Sequence, residues 1–116
     1  MKQLKTFDLE KLVSETGVDA ALIFNIDGKL IKSHNVAYDV NISAMSGILL
    51  KMCTDLAEDV FESTAEQMMI KCTSGLFVAS KLDQNNFIAC ITKENAKLGI
   101  LLKRLETISH ELKSLN

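Results

Sequence analysis

The side chains able to bind a metal or act as nucleophiles are few in this sequence and stand far apart. The histidines are His34 and His110, and the cysteines are Cys53, Cys72 and Cys90. No C-x-x-C or H-x-x-x-H pair occurs, so the sequence lacks the spacing typical of a zinc site. All three cysteines stand within apolar patterns, and Cys72 and Cys90 lie in the middle of predicted strands, which indicates buried thiols in a reducing compartment. We therefore expect no metal, no cofactor and a cytoplasmic location.

A cysteine nucleophile assembled by folding is the enzymatic alternative, because catalytic triads are defined by geometry and not by spacing. Such a cysteine would react with alkylating reagents much faster than a free thiol does. Buried structural thiols fit the apolar neighbours better, and we expect that the protein is not an enzyme.

Glycine and arginine positions bear on nucleotide chemistry. The five glycines include no G-x-x-x-x-G-K-[ST] string, so we expect no nucleotide held in a phosphate-binding loop of that kind. The single arginine, Arg104, lies in the middle of the predicted last helix. We interpret it as a solvated side chain on the charged face of that helix.

Four acidic residues, Asp55, Glu58, Asp59 and Glu62, cluster near the end of the second predicted helix. Carboxylates near a helix C-terminus are mildly unfavourable with the helix dipole, by about 0.3 to 1 kcal/mol each. Two interpretations are open. The cluster is either a solvated face or a surface that meets a basic patch on a partner protein.

Composition and length limit the class of protein. The 116 residues are 47% hydrophobic and 24% charged with a net charge of -2, which favours one soluble domain spanning residues 1–116. The charge gives no reason to expect nucleic acid as a partner. The longest apolar runs are far shorter than the roughly 20 residues that span a bilayer, so we expect no membrane insertion.

Hydrophobic periodicity and turn residues predict the secondary structure. A helix over 6–15 is capped by Thr6 or Asp8, an Asp27-Gly28 turn of two residues joins the first two strands, and Ser43 caps a helix ending near 61 or 62. Asn95 caps a last helix to about 115. The strands are predicted at 18–25, 30–34, 67–72, 76–81 and 86–92. The expected fold class is α/β in the α+β arrangement, a five-stranded antiparallel sheet with helices on both faces in the order α-β-β-α-β-β-β-α.

The second helix carries more apolar surface than one sheet can cover. At about 100° per residue its apolar side chains span an arc of roughly 220°, whereas packing on one sheet needs little more than about 100°. Long Lys and Glu side chains or loops are one way to cover the excess. A two-fold homodimer is the other, and it closes without open-ended growth. The predicted contact residues on this helix are Ile42, Met45, Leu49, Met52 and Leu56.

Several segments in their order resemble the roadblock family, which includes dynein light chains and bacterial and archaeal regulators of Ras-like GTPases. They are Thr16-Gly17-Val18, Ala20-Ala21-Leu22-Ile23-Phe24-Asn25, Asp27-Gly28-Lys29-Leu30-Ile31-Lys32-Ser33 and Asn95-Ala96-Lys97-Leu98-Gly99. The resemblance covers essentially the whole chain and implies a roadblock/longin-like fold. It also implies a dimer that pairs the second helix and the third strand across a two-fold axis, which adds Met69 and Ile70 to the predicted interface.

What the resemblance implies about function is a non-catalytic platform. We expect a dimeric regulator or adaptor of a small Ras-like GTPase, paired with a second copy of itself or with a roadblock paralogue. Because Arg104 lies in a helix, any activation of hydrolysis would proceed without an arginine finger, by holding the partner's own switch loops. The alternative is a structural subunit of a larger motor or signalling complex that makes no GTPase contact.

Overall fold

The computed structural model describes residues 6–93 and 98–115, with the side chains of the last helix described as far as residue 111. The described helices and strands follow the predicted order. They are α1 (Leu9–Thr16), β1 (Ala20–Asn25), β2 (Leu30–His34), α2 (Asp39–Phe61), β3 (Gln67–Cys72), β4 (Gly75–Lys81), β5 (Asn86–Thr92) and α3 (Leu98–Leu115). The cap predicted at Asn95 lies outside the described residues.

The strands form one antiparallel sheet in the order β2-β1-β5-β4-β3, so β2 and β3 are its edges. The predicted five-stranded antiparallel sheet is confirmed. Strand β1 is apolar throughout its centre because both of its faces are covered, and the residues from Ala21 to Phe24 are fully buried. The register of β1 with β2 shifts between Ile23 and Phe24, a β-bulge that leaves Ile31 as the extra residue on β2.

A hydrophobic layer lies on each face of the sheet, as predicted. On one face Leu9 and Leu12 of α1 and Leu105 of α3 pack on Ile23 and Ile88. The layer on the other face is smaller. There, Leu50 is the fully buried apolar residue of α2, and it packs with Leu22, Phe24, Phe87 and Met68. Because alternate strand residues point to opposite faces, the same strands serve both layers.

Helix α1 begins and ends at the residues that the sequence favours for caps. The Asp8 side chain accepts a hydrogen bond from the backbone N of Lys11 at 2.9 Å, so Asp8 and not Thr6 is the cap. Gly17 ends the helix with φ 74°, and its N donates to the carbonyl of Val13.

The start of α2 differs from the prediction. The helix begins at Asp39, and Ser43 lies inside it, fully buried against the sheet instead of capping it. The helical hydrogen bonds start earlier because Asp39 is held in place from β2. The Ser33 hydroxyl donates to Oδ2 of Asp39 at 2.6 Å, and Ile42 N donates to the carbonyl of Tyr38 at 3.0 Å. This contact joins two elements, so local capping preferences did not predict it.

The turn between β1 and β2 is longer than predicted. Residues 26–29 connect the strands, and Gly28 has positive φ whereas Asp27 does not. The Asn25 side chain organises this loop, since its Oδ1 accepts hydrogen bonds from the N of Asp27 and the N of Lys29, both at 3.0 Å.

The backbone of helix α2 lies directly against the backbone of that turn. A Cβ built on Gly47 would lie 2.7 Å from the Cα and N of Gly28, and a Cβ on Gly28 would lie 2.9 Å from the Cα of Ala44. Ser43 and Ser46 are the neighbouring buried residues of the helix. Small residues on this side of α2 therefore allow the helix to approach the hairpin closely, and they leave its larger apolar residues on the outer side.

Candidate protein-interaction surface

The outer side of α2 carries a contiguous row of exposed apolar side chains. At 100° per residue these side chains fall on one flank, away from Leu50. Met52 is 63% exposed and Leu56 is 65% exposed, values unusual for side chains of this size in a row. We call this row the outer stripe. Its members are Met45, Ile48, Leu49, Met52 and Leu56.

The structure separates one predicted contact residue from the others. Ile42 is half-buried and packs against the α2-side core, so it contributes to the protomer's own fold. Met45, Leu49, Met52 and Leu56 are exposed, as an interface on this helix requires. Ile48 belongs with them by position and exposure, and its place in the apolar periodicity of α2 is the signal that identifies it.

The last turn of α2 extends past the part of the helix that packs on the sheet. Val60 and Phe61 are exposed there, although Phe61 points in nearly the same direction as buried Leu50 at 100° per residue. Exposed apolar side chains are thus present up to the end of the helix, although Phe61 does not lie in line with the outer stripe.

The acidic cluster lies near the end of the same helix, where at 100° per residue Asp55 and Glu58 fall on the flank of Lys51 and Asp59 falls in line with Met52. Its four residues, Asp55, Glu58, Asp59 and Glu62, are all exposed. No ion pair joins them to any side chain in the described part of the molecule. Lys51, on the same flank, lies 3.7 Å from the Asp27 carboxylate in the β1–β2 loop.

A second candidate contact surface is strand β3, an open edge of the sheet. Met69 and Ile70 are 43% and 40% exposed, and as successive strand residues they point to opposite faces. Ile70 lies beside Phe77 on the α2 face, and Met69 lies beside Val78 on the face of α1 and α3. The two predicted contact residues therefore flank the open backbone edge, one on each side.

A polar cleft of about 380 Å³ opens on the α1 and α3 face, between α3 and the ends of β3 and β4. Lys81, Glu106 and His110 are among its lining residues. At its base the Gln67 amide donates to the Ser80 hydroxyl at 2.8 Å. Sequence periodicity did not indicate this cleft, because it forms where α3 leaves the edge strand uncovered.

The three cysteines differ in exposure. Cys90 is buried, Cys53 is half-buried, and Cys72 is exposed near the end of β3, which corrects the expectation that Cys72 is buried. An edge strand lacks the second neighbour that would cover it, and this explains the exposure. In the ranges that the structure describes, no group of three His, Cys, Asp or Glu side chains is placed to hold a metal ion.

Burial raises the pKa of the Cys90 thiol to about 12. We expect iodoacetamide at pH 8 to modify Cys72 and to leave Cys90 unmodified until the protein is unfolded, as mass spectrometry of the peptides would show. The neutral thiol also favours the native state, so this contribution to stability is lost as the pH rises above the ordinary thiol pKa. Rapid modification of Cys90 in the folded protein would contradict its burial.

Arg104 is tied to a neighbouring helix. Its Nε donates to Oε2 of Glu15 at 3.1 Å and so links α3 to α1, and Lys11 lies 3.8 Å from the other oxygen of Glu15. This corrects the interpretation of Arg104 as a purely solvated side chain. The guanidinium is held on the face of the sheet opposite α2.

The fold agrees with the comparisons with known proteins. Residues 4–92 match the Roadblock/LC7 domain model, and the chain therefore belongs to the Roadblock/LC7 domain family. No curated protein gives a significant match to the sequence.

Solved structures share the fold at low sequence identity. Myxococcus xanthus MglB has a TM-score of 0.83 and 14% identity over 90% of this chain and 88% of its own. A Roadblock/LC7 domain from Streptomyces avermitilis has a TM-score of 0.81 and 14% identity over 92% of each chain. A structure described as MglB with tetrameric arrangement has a TM-score of 0.76 and 13% identity over 91% of this chain and 85% of its own.

None of the described helices is both long and apolar enough to cross a bilayer.

Proposed function

We propose that this chain is a dimeric, non-catalytic regulator or adaptor of a small Ras-like GTPase. The observation that carries the proposal is the pair of surfaces formed by the outer stripe of α2 and the open edge of β3. Together they offer one apolar surface and one row of unpaired backbone groups, the two features that association with another chain covers.

The dimer is the first part of this proposal. The same surface is present on every copy, so a two-fold axis lets each outer stripe pack against its mate and closes the assembly. A solved relative of the same fold is described as MglB with tetrameric arrangement, which supports self-association as a property compatible with this fold.

A GTPase partner is the second part, and family membership supports it. The sequence has no phosphate-binding loop of the P-loop type, so the GTPase activity would reside in the partner. Arg104 pairs with Glu15 on the α1 and α3 face, in a helix and not in an extended loop. The chain would therefore act by holding the switch loops of the partner, without supplying an arginine to its nucleotide.

Nucleotide-dependent binding tests the GTPase contact. The immobilised chain is exposed to purified small Ras-like GTPases from the same genome, each loaded with GDP or with a non-hydrolysable GTP analogue, starting with any encoded beside this gene. We expect one of them to bind at least tenfold more tightly in one nucleotide state, which corresponds to about 1.4 kcal/mol.

The Arg104→Ala variant is the matched test of mechanism. It should leave nucleotide-dependent binding and any acceleration of single-turnover hydrolysis within twofold of the unmodified chain, since surface ion pairs contribute little to stability. Loss of acceleration with binding intact would show that Arg104 acts on the nucleotide. Absence of binding in both nucleotide states would favour the structural subunit of a larger complex.

A further inference from the structure

The hydrogen bonds of the sheet identify which backbone groups of β3 are open. Leu82 N donates to the carbonyl of Asn86 at 2.8 Å, and in the β4–β5 register these two residues face each other. Hydrogen-bonded pairs alternate along an antiparallel ladder, so the even-numbered residues of β4 bond to β5. The odd-numbered residues of β4 must then bond to β3.

A second hydrogen bond gives the same assignment independently. Lys81 N donates to the carbonyl of Glu66 at 2.9 Å, and these residues also face each other when the β3–β4 register is extended by one pair. Alternation from Glu66 directs Met68, Ile70 and Cys72 toward β4. The backbone N–H and C=O groups of Gln67, Met69 and Lys71 therefore point to the open edge of the sheet.

Because only alternate residues of β3 have open backbone groups, a second copy can add to the edge in only a few registers. Across a two-fold axis the two β3 strands run antiparallel, and only residues with open groups can form hydrogen-bonded pairs. When Met69 faces the partner's Met69, Gln67 faces the partner's Lys71, and every open group of the strand gains a partner. The two adjacent registers that pair open groups place Lys71 opposite the partner's Ala65, or Gln67 opposite the partner's Thr73. Ala65 and Thr73 lie outside β3, so in these registers the paired strands lose hydrogen bonds at each end.

We propose that the β3 strands of two copies pair in a single register with Met69 on the two-fold axis. This inference rests on the proposed dimer and specifies how its sheet is continued. The occupant of the open edge is a second copy of this chain, because the row of open groups is complementary to itself about Met69.

Side chains agree with this register on both faces. On the α1 and α3 face the Lys71 ammonium lies opposite the partner's Gln67 and not opposite a second lysine, so no like charges face each other. On the α2 face Met68 lies opposite the partner's Ile70 in a non-hydrogen-bonded pair, where Cα atoms approach to about 4.5 Å and side chains touch. The apolar contact thus falls on the same face as α2.

Cysteine cross-linking tests the register. Single cysteines are placed at Gln67, Met69, Ile70 or Lys71 in a background with Cys53→Ser and Cys72→Ser, and buried Cys90 is retained. A bis-methanethiosulfonate reagent with a spacer of about 5 Å then links facing positions, whose Cα atoms are about 5.5 Å apart in a hydrogen-bonded pair. Thermal melting by circular dichroism establishes that each variant is folded.

We expect Met69→Cys to cross-link at least tenfold faster than Gln67→Cys or Lys71→Cys, whose mates lie about 13 Å away along the strand. An equimolar mixture of Gln67→Cys and Lys71→Cys, exchanged as dimers, should cross-link about as fast as Met69→Cys alone. Fast cross-linking in the mixture is specific to this register. If the rate depended only on how accessible each cysteine is, the mixture would react no faster than Gln67→Cys or Lys71→Cys alone.

The outcomes separate the register from the dimer. A dimeric mass by light scattering with Ile70→Cys as the fastest variant overturns the register and leaves the proposed dimer standing. A monomeric mass with slow cross-linking at all four positions overturns both. Fast linkage at Met69 together with the mixed pair supports both.

Discussion

We expect the Met52→Glu substitution to convert the proposed dimer into a folded monomer. The side chain lies in the middle of the outer stripe and is exposed in the protomer, so the substitution costs the isolated fold little. In the proposed dimer seam, where two outer stripes pack together, the carboxylate would be removed from water against apolar residues and without a basic partner. Burial of this kind costs several kcal/mol. We expect the dimer dissociation constant to rise roughly 100-fold or more, measured by light scattering and analytical ultracentrifugation across a concentration series. Leu49→Glu should act in the same direction.

Ile100→Glu is the matched control. Ile100 is an apolar side chain on α3 with 59% exposure, close to that of Met52, but α3 packs on the other face of the sheet. The same change of charge at this position should leave the mass at that of the dimer. Lys51→Glu, on the polar flank of α2, should also leave assembly unchanged. Dissociation by Ile100→Glu with a stable Met52→Glu dimer would place the seam on the α1 and α3 face.

The second large effect is expected from Gly47→Ala, which will destabilise the protomer itself. The added Cβ would meet backbone atoms of Gly28 at 2.7 Å, and neither backbone can move aside as a flexible side chain does. Overpacking of this kind costs about 1 to 3 kcal/mol. Alanine recovers part of this, since its helix propensity exceeds that of glycine by about 1 kcal/mol. We expect a net loss of about 1 kcal/mol, and at most about 2 kcal/mol, in the free energy of unfolding, measured by urea denaturation.

Gly99→Ala controls for the helix propensity. A Cβ built on Gly99, in α3, meets no atom within 4 Å. The substitution should therefore leave the stability unchanged or raise it by up to about 1 kcal/mol. Equal effects at Gly47 and Gly99 would show that the close approach of α2 to the β1–β2 loop does not limit stability.

The substitutions Met52→Glu and Gly47→Ala act on opposite sides of helix α2. The small residues around Gly47 set how closely α2 approaches the sheet, and the outer stripe presents what remains of its apolar surface. A helix displaced at Gly47 would also move the stripe relative to the edge of β3. We therefore expect Gly47→Ala to weaken the dimer as well, whereas Met52→Glu should leave the melting temperature of the monomer nearly unchanged.

Much of the fold follows from local patterns in the sequence. The continuous apolar run of β1 predicts a strand covered on both faces, and the structure has it between β2 and β5. The wide apolar arc of α2 predicts exposed hydrophobic side chains, and Met45, Leu49, Met52 and Leu56 are exposed. Both predictions depend on the direction in which successive side chains point, which the backbone geometry of one element determines.

The errors and omissions concern contacts between elements. Ser43 has the residue type of a helix cap, but the Ser33 hydroxyl holds Asp39 at the start of α2 and makes Ser43 a buried interior residue. The helical pattern around Arg104 predicts a solvated side chain, because it gives no sign of the partner Glu15, which is distant in the sequence. Cys72 has the apolar surroundings of a buried strand residue but lies on an edge strand.

The sequence by itself thus determined the order of the elements, the two hydrophobic layers and the apolar outer side of α2, because periodicity is a property of each segment. Only the tertiary structure decided that β3 is an edge, which of its backbone groups stay open and which partner each polar side chain meets. Those outcomes depend on the order of strands in the sheet and on hydrogen bonds between residues far apart in the chain. No local pattern in the sequence specifies either of them, and the proposed pairing of two chains depends on both.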